Sequence, residues 1–259
     1  MALTAVVLAG GPPDELVAGD PGAPNKAFLD IAGVPLAART LASLRASGRV
    51  GRIVAVAPPG VRSAAALTAA DEIRLDGPRI ADSLRSGLRG LDEAEPVLIA
   101  AGDLPVLSAA AIDEFLDIAL GRGADLVYAC VERKTHEARY PEVPHTWARL
   151  RDGTYCGGGC VLLRPRALAP LERFLDRLGP ARKNPLRLAA IFGWDVVLRY
   201  SLGRLGIVNL ERRASELLGV PAAAAVCSHP EIAVNVDRPS DVALAIRLVL
   251  AGSGQQCVP

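Results

Sequence analysis

A pair of glycines at the end of the first apolar run is the earliest feature of this chain that could do chemistry. Gly10 and Gly11 follow Leu8 and Ala9, and Lys26 comes after a short loop. Glycines at the carboxyl end of a strand let backbone N–H groups approach phosphate oxygens, and a lysine adds positive charge. The pattern matches neither the G-x-G-x-x-G dinucleotide fingerprint nor the G-K-[ST] phosphate loop. It indicates a phosphate-binding loop of another kind, with a simple turn as the alternative.

Two carboxylates follow predicted strands and could bind a metal ion. Asp103 comes shortly after the apolar run 97–100, and Asp237 comes directly after the run 232–236. Open α/β folds bind ligands at the carboxyl ends of their strands, and Mg²⁺ takes one or two protein carboxylates there. A turn or a helix cap is the alternative for Asp103. We interpret Asp241 as structural, because an acid near a helix start favours the helix dipole.

Short polar side chains near a predicted helix start could recognise a nucleotide base. Ser83 is the first candidate and Asp82 the second. Helix capping, which needs no ligand, is the alternative for both.

A glycine-rich segment later in the chain could face the second substrate. Gly158 lies in a run of three glycines that leads into a strand, and such a run permits close approach by a ligand. Cys156 and Cys160 flank this run without the paired spacing of a zinc site, so we predict buried thiols. Arg182 and Lys183 could bind an acceptor phosphate, with exposed residues at a helix start as the alternative. The histidines show no metal spacing, and we expect surface or loop positions for all three, with contact to an acceptor as the alternative: His136, His145 and His229.

Alternating strands and helices must position these residues. Short apolar runs alternate with amphipathic stretches, a pattern that predicts an α/β fold with a mostly parallel sheet. The predicted strands are residues 4–8, 52–56, 97–100, 125–130, 161–163, 196–200 and 232–236. The predicted helices are residues 34–47, 80–91, 108–120, 165–178, 185–192 and 239–250. We expect one domain over residues 1–251, with an excursion at the sheet edge near 132–156 and a flexible tail at 252–259.

Composition excludes several classes of protein. The 259 residues carry a net charge of +1, and 51% are hydrophobic but only 4% aromatic. Balanced charge argues against a broad nucleic-acid-binding face, and the apolar fraction argues against disorder. Five cysteines, an odd number, argue against a disulfide framework. We find no basic signal-peptide start and no apolar run of roughly 18 residues, so we expect a soluble cytoplasmic protein without a membrane partner.

The order of the first motifs resembles a known family. The glycine loop, Lys26 and the following G-V-P-L helix entry at 33–36 are similar to the start of the sugar-nucleotidyltransferase superfamily, which is GT-A-like, and most of all to MobA-like NTP transferases. The resemblance implies a single three-layer α/β/α domain with a mostly parallel mixed sheet. It also implies that the loop from Leu8 to Gly11 wraps nucleotide phosphates, which Lys26 contacts. Family loops usually carry an arginine before the lysine, whereas this chain has no Arg or Lys between Gly11 and Lys26 and has three acids there: Asp14, Glu15 and Asp20.

Five further segments resemble the same superfamily. "G-D-x-P" at 102–105 and "N-x-D-x-P-x-D" at 235–241 are similar to its metal-binding stretches, which implies that Asp103 and Asp237 bind Mg²⁺, or Mn²⁺, and that Gly102 lies beside the nucleotide. Residues 79–88 resemble the base-binding stretch of methylerythritol-phosphate cytidylyltransferases, where Ser83 and Asp82 match. Residues 155–161 and 182–185 resemble parts of a MobA-like branch.

The resemblance implies an Mg²⁺-dependent nucleotidyltransferase. Its substrates would be an NTP and a small, phosphorylated acceptor, with pyrophosphate as the second product and no nucleic acid as partner. One alternative is a GT-A-type glycosyltransferase that uses a nucleotide sugar. Such enzymes usually carry a D-x-D motif after this strand, whereas residues 102–104 read Gly-Asp-Leu. The other alternative is a nucleotide-binding protein without catalysis, which the acidic first loop favours.

Overall fold

A computed structural model describes residues 2–18, 20, 22–61, 65–178 and 190–255 of the chain. Its strands are β1 (Leu3–Leu8), β2 (Asp30–Ile31), β3 (Val34–Pro35), β4 (Val50–Ala57), β5 (Glu72–Leu75), β6 (Val97–Ala101), β7 (Leu126–Glu132), β8 (Ala148–Leu150), β9 (Gly153–Leu163) and β10 (Ala222–Cys227). Its α-helices are α1 (Leu36–Ala46), α2 (Ile80–Leu88), α3 (Ala109–Gly121), α4 (Arg133–Arg139), α5 (Leu168–Leu178), α6 (Trp194–Ser201), α7 (Ile207–Leu218) and α8 (Pro239–Gln255).

The main sheet is mixed and mostly parallel, as predicted. Its strands lie in the order β10-β7-β9-β6-β1-β4-β5, and the short β8 pairs with β9. Only β9 runs antiparallel to its two neighbours in that row. The parallel strands are continuous apolar runs because helices cover both faces of the sheet.

Alternation along β1 separates the two faces. Ala5 and Val7 pack into a large cluster with α1 and α3, whereas Val6 packs on the other face with Leu84 and Leu88 of α2. Side chains of a strand point alternately to opposite faces, so this one strand joins both layers of helices. The three-layer α/β/α architecture is confirmed, and its core is aliphatic, with Phe115 the fully buried aromatic side chain among the largest core residues.

The central strands bring the first two predicted loops together. Leu8 at the end of β1 pairs with Ala101 at the end of β6 and with Val56 of β4. Gly102 then donates its backbone N–H to the carbonyl oxygen of Leu8 at 3.0 Å. The glycine loop and Asp103 therefore begin side by side at the carboxyl edge of the sheet.

Two of the predicted strands are wrong. Residues 196–200 lie in the helix α6, because a short apolar run has no periodicity that separates helix from strand. Residues 232–236 begin in a 3-10 turn, Pro230–Ala233, and continue as unpaired chain. There Val236 donates its N–H to the carbonyl oxygen of Asp103 instead of joining a strand.

The excursion and the tail also differ from expectation. Residues between β7 and β9 form α4 and β8, but β7 and β9 are interior strands of the sheet, so the excursion does not leave from an edge. The last helix, α8, continues to Gln255, within the segment expected to be a flexible tail. Most of the predicted helix 185–192 lies outside the described residues.

Candidate functional site

A cavity of about 610 Å³ opens at the carboxyl edge of the sheet, beside the ends of β1 and β6. It gathers most of the residues predicted to bind a nucleotide. The predicted residues that line it are Leu8, Gly10, Gly11, Lys26, Ser83, Gly102, Asp103 and Gly158. Ala9, also predicted to bind the nucleotide, is fully buried and does not line the cavity. Arg182 and Lys183 lie outside the described residues.

Asn25 holds the glycine loop in place, a role that sequence reasoning missed. Its Nδ2 donates hydrogen bonds to the carbonyl oxygens of Ala9 at 3.0 Å and Gly11 at 3.2 Å. Its Oδ1 accepts from the N–H of Ala27 at 2.9 Å and so caps the 3-10 turn that carries Lys26. One buried amide therefore connects the glycine loop to the lysine. The available signal was an asparagine directly before the lysine.

Asp76, which directly follows β5, meets the glycine loop from the other side. Its Oδ2 accepts the backbone N–H of Gly11 at 2.9 Å, so a carboxylate occupies the N–H that we expected to face a phosphate. The acids within the loop do something else. Asp14 and Asp20 each accept a backbone N–H two residues further along and form local turns.

Lys26 lies between the two carboxylates that were predicted to bind a metal. Its Nζ is 2.6 Å from Oδ2 of Asp103 and 2.5 Å from Oδ1 of Asp237. It also donates to the carbonyl oxygen of Val236 at 3.1 Å. The side chain of Asp103 is 9% exposed and that of Asp237 is 55% exposed. Three residues from distant parts of the sequence therefore converge on one point.

Burial and pairing set the charge states of this group. Burial raises the pKa of Asp103, against the opposing charge of Lys26. For Lys26, burial lowers the pKa but the two carboxylates raise it by more, so its pKa lies above the usual value. The lysine is held as a cation, and it partly neutralises the two acids.

Asp103 and Asp237 are the two residues of this group whose side chains could hold a divalent cation. Oδ1 of Asp103 is buried and has no hydrogen-bond partner among the described residues, so it has lone pairs to offer. Asn235 donates its Nδ2 to Oδ2 of Asp237 and orients that second carboxylate. No group of three or more His, Cys, Asp or Glu side chains in the described part of the chain is arranged for a metal. Mg²⁺ commonly keeps several waters and needs only one or two carboxylates.

Asp241 has the structural role that the sequence predicted. Its Oδ2 accepts the backbone N–H groups of Asp237 at 3.1 Å and Arg238 at 2.9 Å. Since Asp241 lies in the first turn of α8, it fixes the backbone that presents Asp237.

The two candidates for base recognition, Ser83 and Asp82, lie on different sides of α2. Ser83 is buried and lines the cavity, and its Oγ accepts the N–H of Gly77 at 3.1 Å, which leaves the hydroxyl hydrogen free to donate. Asp82 faces a groove on the other side of α2 and pairs with Arg79 and Arg85. The Arg79 guanidinium helps to hold the pKa of Asp82 below its usual range. Among the described residues that line the cavity, Arg79 and Lys26 are the cations.

The glycine run of β9 makes room for neighbouring side chains. A Cβ on Gly159 would lie 2.6 Å from Cδ2 of the fully buried Leu104. A Cβ on Gly157 would lie even closer to the hydroxyl of Tyr128. Tyr128 therefore packs against the glycine run. Within the described ranges it is the aromatic residue that lines the cavity.

A second cavity of about 320 Å³ lies on the Asp237 side of the ion-paired group. It is lined by Tyr128, by the loop residues His145 and Thr146, and by Arg238. Burial lowers the pKa of His145, so its ring is neutral near pH 7. None of these residues except His145 was considered as a candidate from the sequence.

The cysteines and the remaining histidines resolve into packing roles. Four of the cysteines are buried and free: Cys130, Cys156, Cys160 and Cys227. The prediction of a surface or loop position is wrong for His136, which is fully buried in α4. Its Nε2 lies 2.9 Å from Nε2 of His145. His229 lies 3.2 Å from the buried carboxylate of Glu231, away from both cavities.

Comparisons with known proteins found a matching family model and several similar solved structures. The family model described as the MobA-like NTP transferase domain matches residues 5–187. A hypothetical transferase from Thermus thermophilus is 36% identical, with a TM-score of 0.80 over 93% of this chain and 100% of that chain. None of the curated proteins matches. No helix in the described ranges is both long and apolar enough to cross a membrane.

More distant solved structures share the fold. The 4-diphosphocytidyl-2C-methyl-D-erythritol synthase from Anaerococcus prevotii is 13% identical, with a TM-score of 0.59 over 96% of this chain and 98% of that chain. A nucleotidyl transferase from Methanothermobacter is 21% identical, with a TM-score of 0.55 over 97% of this chain and 99% of that chain.

Proposed function

We propose, since the chain belongs to the MobA-like NTP transferase family, that it transfers an NMP unit from an NTP to a small acceptor and releases pyrophosphate. The observation that carries the proposal is the convergence of Lys26, Asp103 and Asp237 beside the cavity under the glycine loop. The three residues lie up to 211 positions apart in the sequence. Packing alone does not require a lysine between two acids at a cavity mouth.

The reaction is an in-line displacement at the α-phosphorus. An acceptor oxygen forms a bond to phosphorus, the bond to the bridging oxygen breaks, and the electron pair leaves with pyrophosphate. Negative charge builds on the phosphate oxygens, and preorganised positive charge close to them lowers the barrier. Lys26, held as a cation, supplies such a charge at the edge of the cavity.

The other residues bind and orient the nucleotide. The backbone of the loop at Gly10 and Gly11 lines the cavity where the phosphates would lie. The free hydroxyl hydrogen of Ser83 offers a donor to the base or ribose. Tyr128 is the aromatic residue found at this cavity among the described residues. Short polar side chains and backbone groups would therefore make most of the contacts with the base.

Asp103 and Asp237 are the residues that would hold a divalent cation, Mg²⁺ or Mn²⁺. When bound, such an ion neutralises phosphate charge and polarises the phosphorus–oxygen bond. The unpaired Oδ1 of Asp103 supports this assignment.

The test compares Asp103→Asn with Asp117→Asn. Asp117 is an exposed acid in α3 that pairs with Arg49, and neither residue lines the cavity. With the NTP and acceptor found by a thermal-shift and pyrophosphate screen, we expect Asp103→Asn to lower kcat/KM by at least about a hundredfold. Asp117→Asn should stay within about twofold of wild type, and circular dichroism should show both variants folded.

Three results would count against the proposal. Unchanged pyrophosphate release in Asp103→Asn would remove the assignment of this carboxylate. Release of a nucleoside diphosphate from a nucleotide sugar would indicate a glycosyltransferase instead. Saturable NTP binding without pyrophosphate release with any acceptor would indicate a binding protein.

A further inference from the structure

Tyr128 lies where the two cavities of this region meet. It lines the 610 Å³ cavity together with Lys26 and Asp103, and it lines the 320 Å³ cavity together with Asp237. The two cavities adjoin at Lys26 and Asp237, whose Nζ and Oδ1 atoms are 2.5 Å apart. A transfer reaction brings two molecules together at one phosphorus atom. A side chain that borders both cavities therefore lies beside the place where that atom would be.

The strand pairing around Tyr128 is irregular. Tyr128 of β7 is paired with Val161 of β9, but Cys130, two residues later, is paired with Gly157. One residue of β7 therefore lies opposite three residues of β9, 158–160, where regular antiparallel pairing would place one. Such bulges bend a strand and re-aim side chains, and they are common next to active sites.

The glycine run of β9 gives the ring of Tyr128 room to lie across this strand. A Cβ on Gly157 would lie 2.8 Å from Cζ of Tyr128, closer than a real Cβ comes to another atom. Gly158 and Gly159, which follow it in the bulge, line the larger cavity. Since β9 lies between β7 and β6, Tyr128 borders the same cavity as Asp103 although their strands are about 10 Å apart, two strand spacings.

The hydroxyl group of Tyr128 is available as a hydrogen-bond donor. No partner for it is found among the described residues, whereas Tyr155 on β9 donates its hydroxyl to the carbonyl oxygen of Asp152 at 2.9 Å. Tyr128 is 45% exposed, so a ligand can reach it. Burial of the rest of the side chain raises the pKa of Tyr128 above its usual value, so the phenol keeps its proton near pH 7.

We propose that Tyr128 is a catalytic residue of the nucleotidyl transfer, and that its hydroxyl group donates a hydrogen bond to a non-bridging oxygen of the α-phosphate. The inference rests on the proposed function and adds a residue to that site. The acceptor oxygen forms its bond to phosphorus, the bond to the bridging oxygen breaks with its electron pair leaving on pyrophosphate, and Tyr128 keeps its proton throughout. Negative charge builds on the non-bridging oxygens, so a fixed donor aimed at one of them stabilises the transition state more than the bound NTP.

The test is Tyr128→Phe, which removes the hydroxyl group and keeps the ring. Tyr155→Phe is the matched control, because Tyr155 lies on the neighbouring strand and lines neither of the two cavities. Pyrophosphate release is measured with Mg²⁺ and the NTP and acceptor that the thermal-shift and pyrophosphate screen identifies. We expect Tyr128→Phe to lower kcat about tenfold to a hundredfold, the range for a hydrogen bond to a charged group, with KM for the NTP within about twofold of wild type. Tyr155→Phe should stay within about twofold in both parameters.

Sulfur substitution in the NTP separates a hydrogen bond to the α-phosphate from a structural effect of the variant. Each of the two α-phosphorothioate diastereomers of the NTP carries sulfur, a weak hydrogen-bond acceptor, in place of one non-bridging oxygen. With one diastereomer, the ratio of kcat between wild type and Tyr128→Phe should fall toward one. With the other diastereomer, the ratio should stay as it is with the unmodified NTP.

Three results overturn the proposal: a Tyr128→Phe variant that turns over like wild type or like Tyr155→Phe, a variant that changes only KM, or one ratio for the NTP and both diastereomers. A wild-type chain that releases no pyrophosphate from any pair of NTP and acceptor counts against the proposed function itself, and this proposal falls with it. The two failures are therefore distinguishable, because the first requires an active wild-type enzyme.

Discussion

Replacing Asn25 by aspartate tests whether one buried amide holds the glycine loop to Lys26. The change keeps the size of the side chain and the Oδ1 acceptor for Ala27. It removes both donated hydrogen bonds, at 3.0 and 3.2 Å, and turns a carboxylate oxygen toward the carbonyl oxygens of Ala9 and Gly11. Asn25 is only 2% exposed, so water cannot easily take the place of the lost bonds.

The expected cost follows from those contacts. Two lost hydrogen bonds account for about 1–3 kcal/mol. Burial of an unpaired charge raises the total to about 3–5 kcal/mol of unfolding free energy at pH 7. The introduced carboxyl has a higher pKa in the folded than in the unfolded state, so its penalty is full above the folded pKa and disappears as the pH falls toward the unfolded value near about 4.

The assay is urea unfolding followed by far-ultraviolet circular dichroism at pH 7 and pH 4.5, with NTP affinity measured in parallel. Asn209→Asp is the matched control. Oδ1 of Asn209 accepts the N–H of Gly206 at 3.0 Å, and no partner of its Nδ2 is found among the described residues. The control should cost less than about 0.5 kcal/mol, as expected when a capping acceptor is retained. Equal losses in the two variants, or a loss in Asn25→Asp that does not shrink on acidification, would refute the reasoning.

Three further outcomes follow from the geometry. Burial lowers the pKa of His136 to about 4 from 6.5, so the folded state binds fewer protons than the unfolded state between these values. Stability should therefore fall by about 3 kcal/mol from pH 7 to pH 4, and His136→Gln should flatten that slope in urea unfolding. Gly159→Ala, whose Cβ would meet Leu104, should cost about 1–3 kcal/mol, whereas Gly121→Ala, with open space around its Cβ, should not destabilise; a thermal melt of both checks this. Asp76→Asn should strengthen NTP binding about fivefold by calorimetry, because it removes a negative charge beside Gly11 that repels the phosphates by about 1 kcal/mol. Unchanged affinity would show that the phosphates do not approach Asp76.

Most of the sheet could be predicted because a buried parallel strand is a continuous apolar run. This signal is clear in β1, β4 and β6. It is weak in β10, whose sequence is mainly alanine, a residue with low strand propensity. It is misleading in residues 196–200, where five residues are too few to separate a strand from one side of a helix.

The candidate site was predictable where position along a strand determines position in space. Asp103 and the glycine loop come directly after adjacent strands, so their proximity follows from the fold alone. Asp76 could not be assigned in this way, because β5, the strand that it follows, was not among the predicted strands. Its contact with the glycine loop joins residues that lie 65 sequence positions apart.

The acidic first loop shows why local charge in a sequence is a poor guide to the field at a site. The carboxylates of two of its acids, Asp14 and Asp20, accept backbone N–H groups in turns within the loop. None of its three acids lines the 610 Å³ cavity. The acid that does meet the glycine loop is Asp76, which comes from another strand. If Asp76→Asn strengthens nucleotide binding, the charge that opposes the phosphates comes from the end of β5 and not from the loop, and the loop's composition loses its weight as an argument against catalysis.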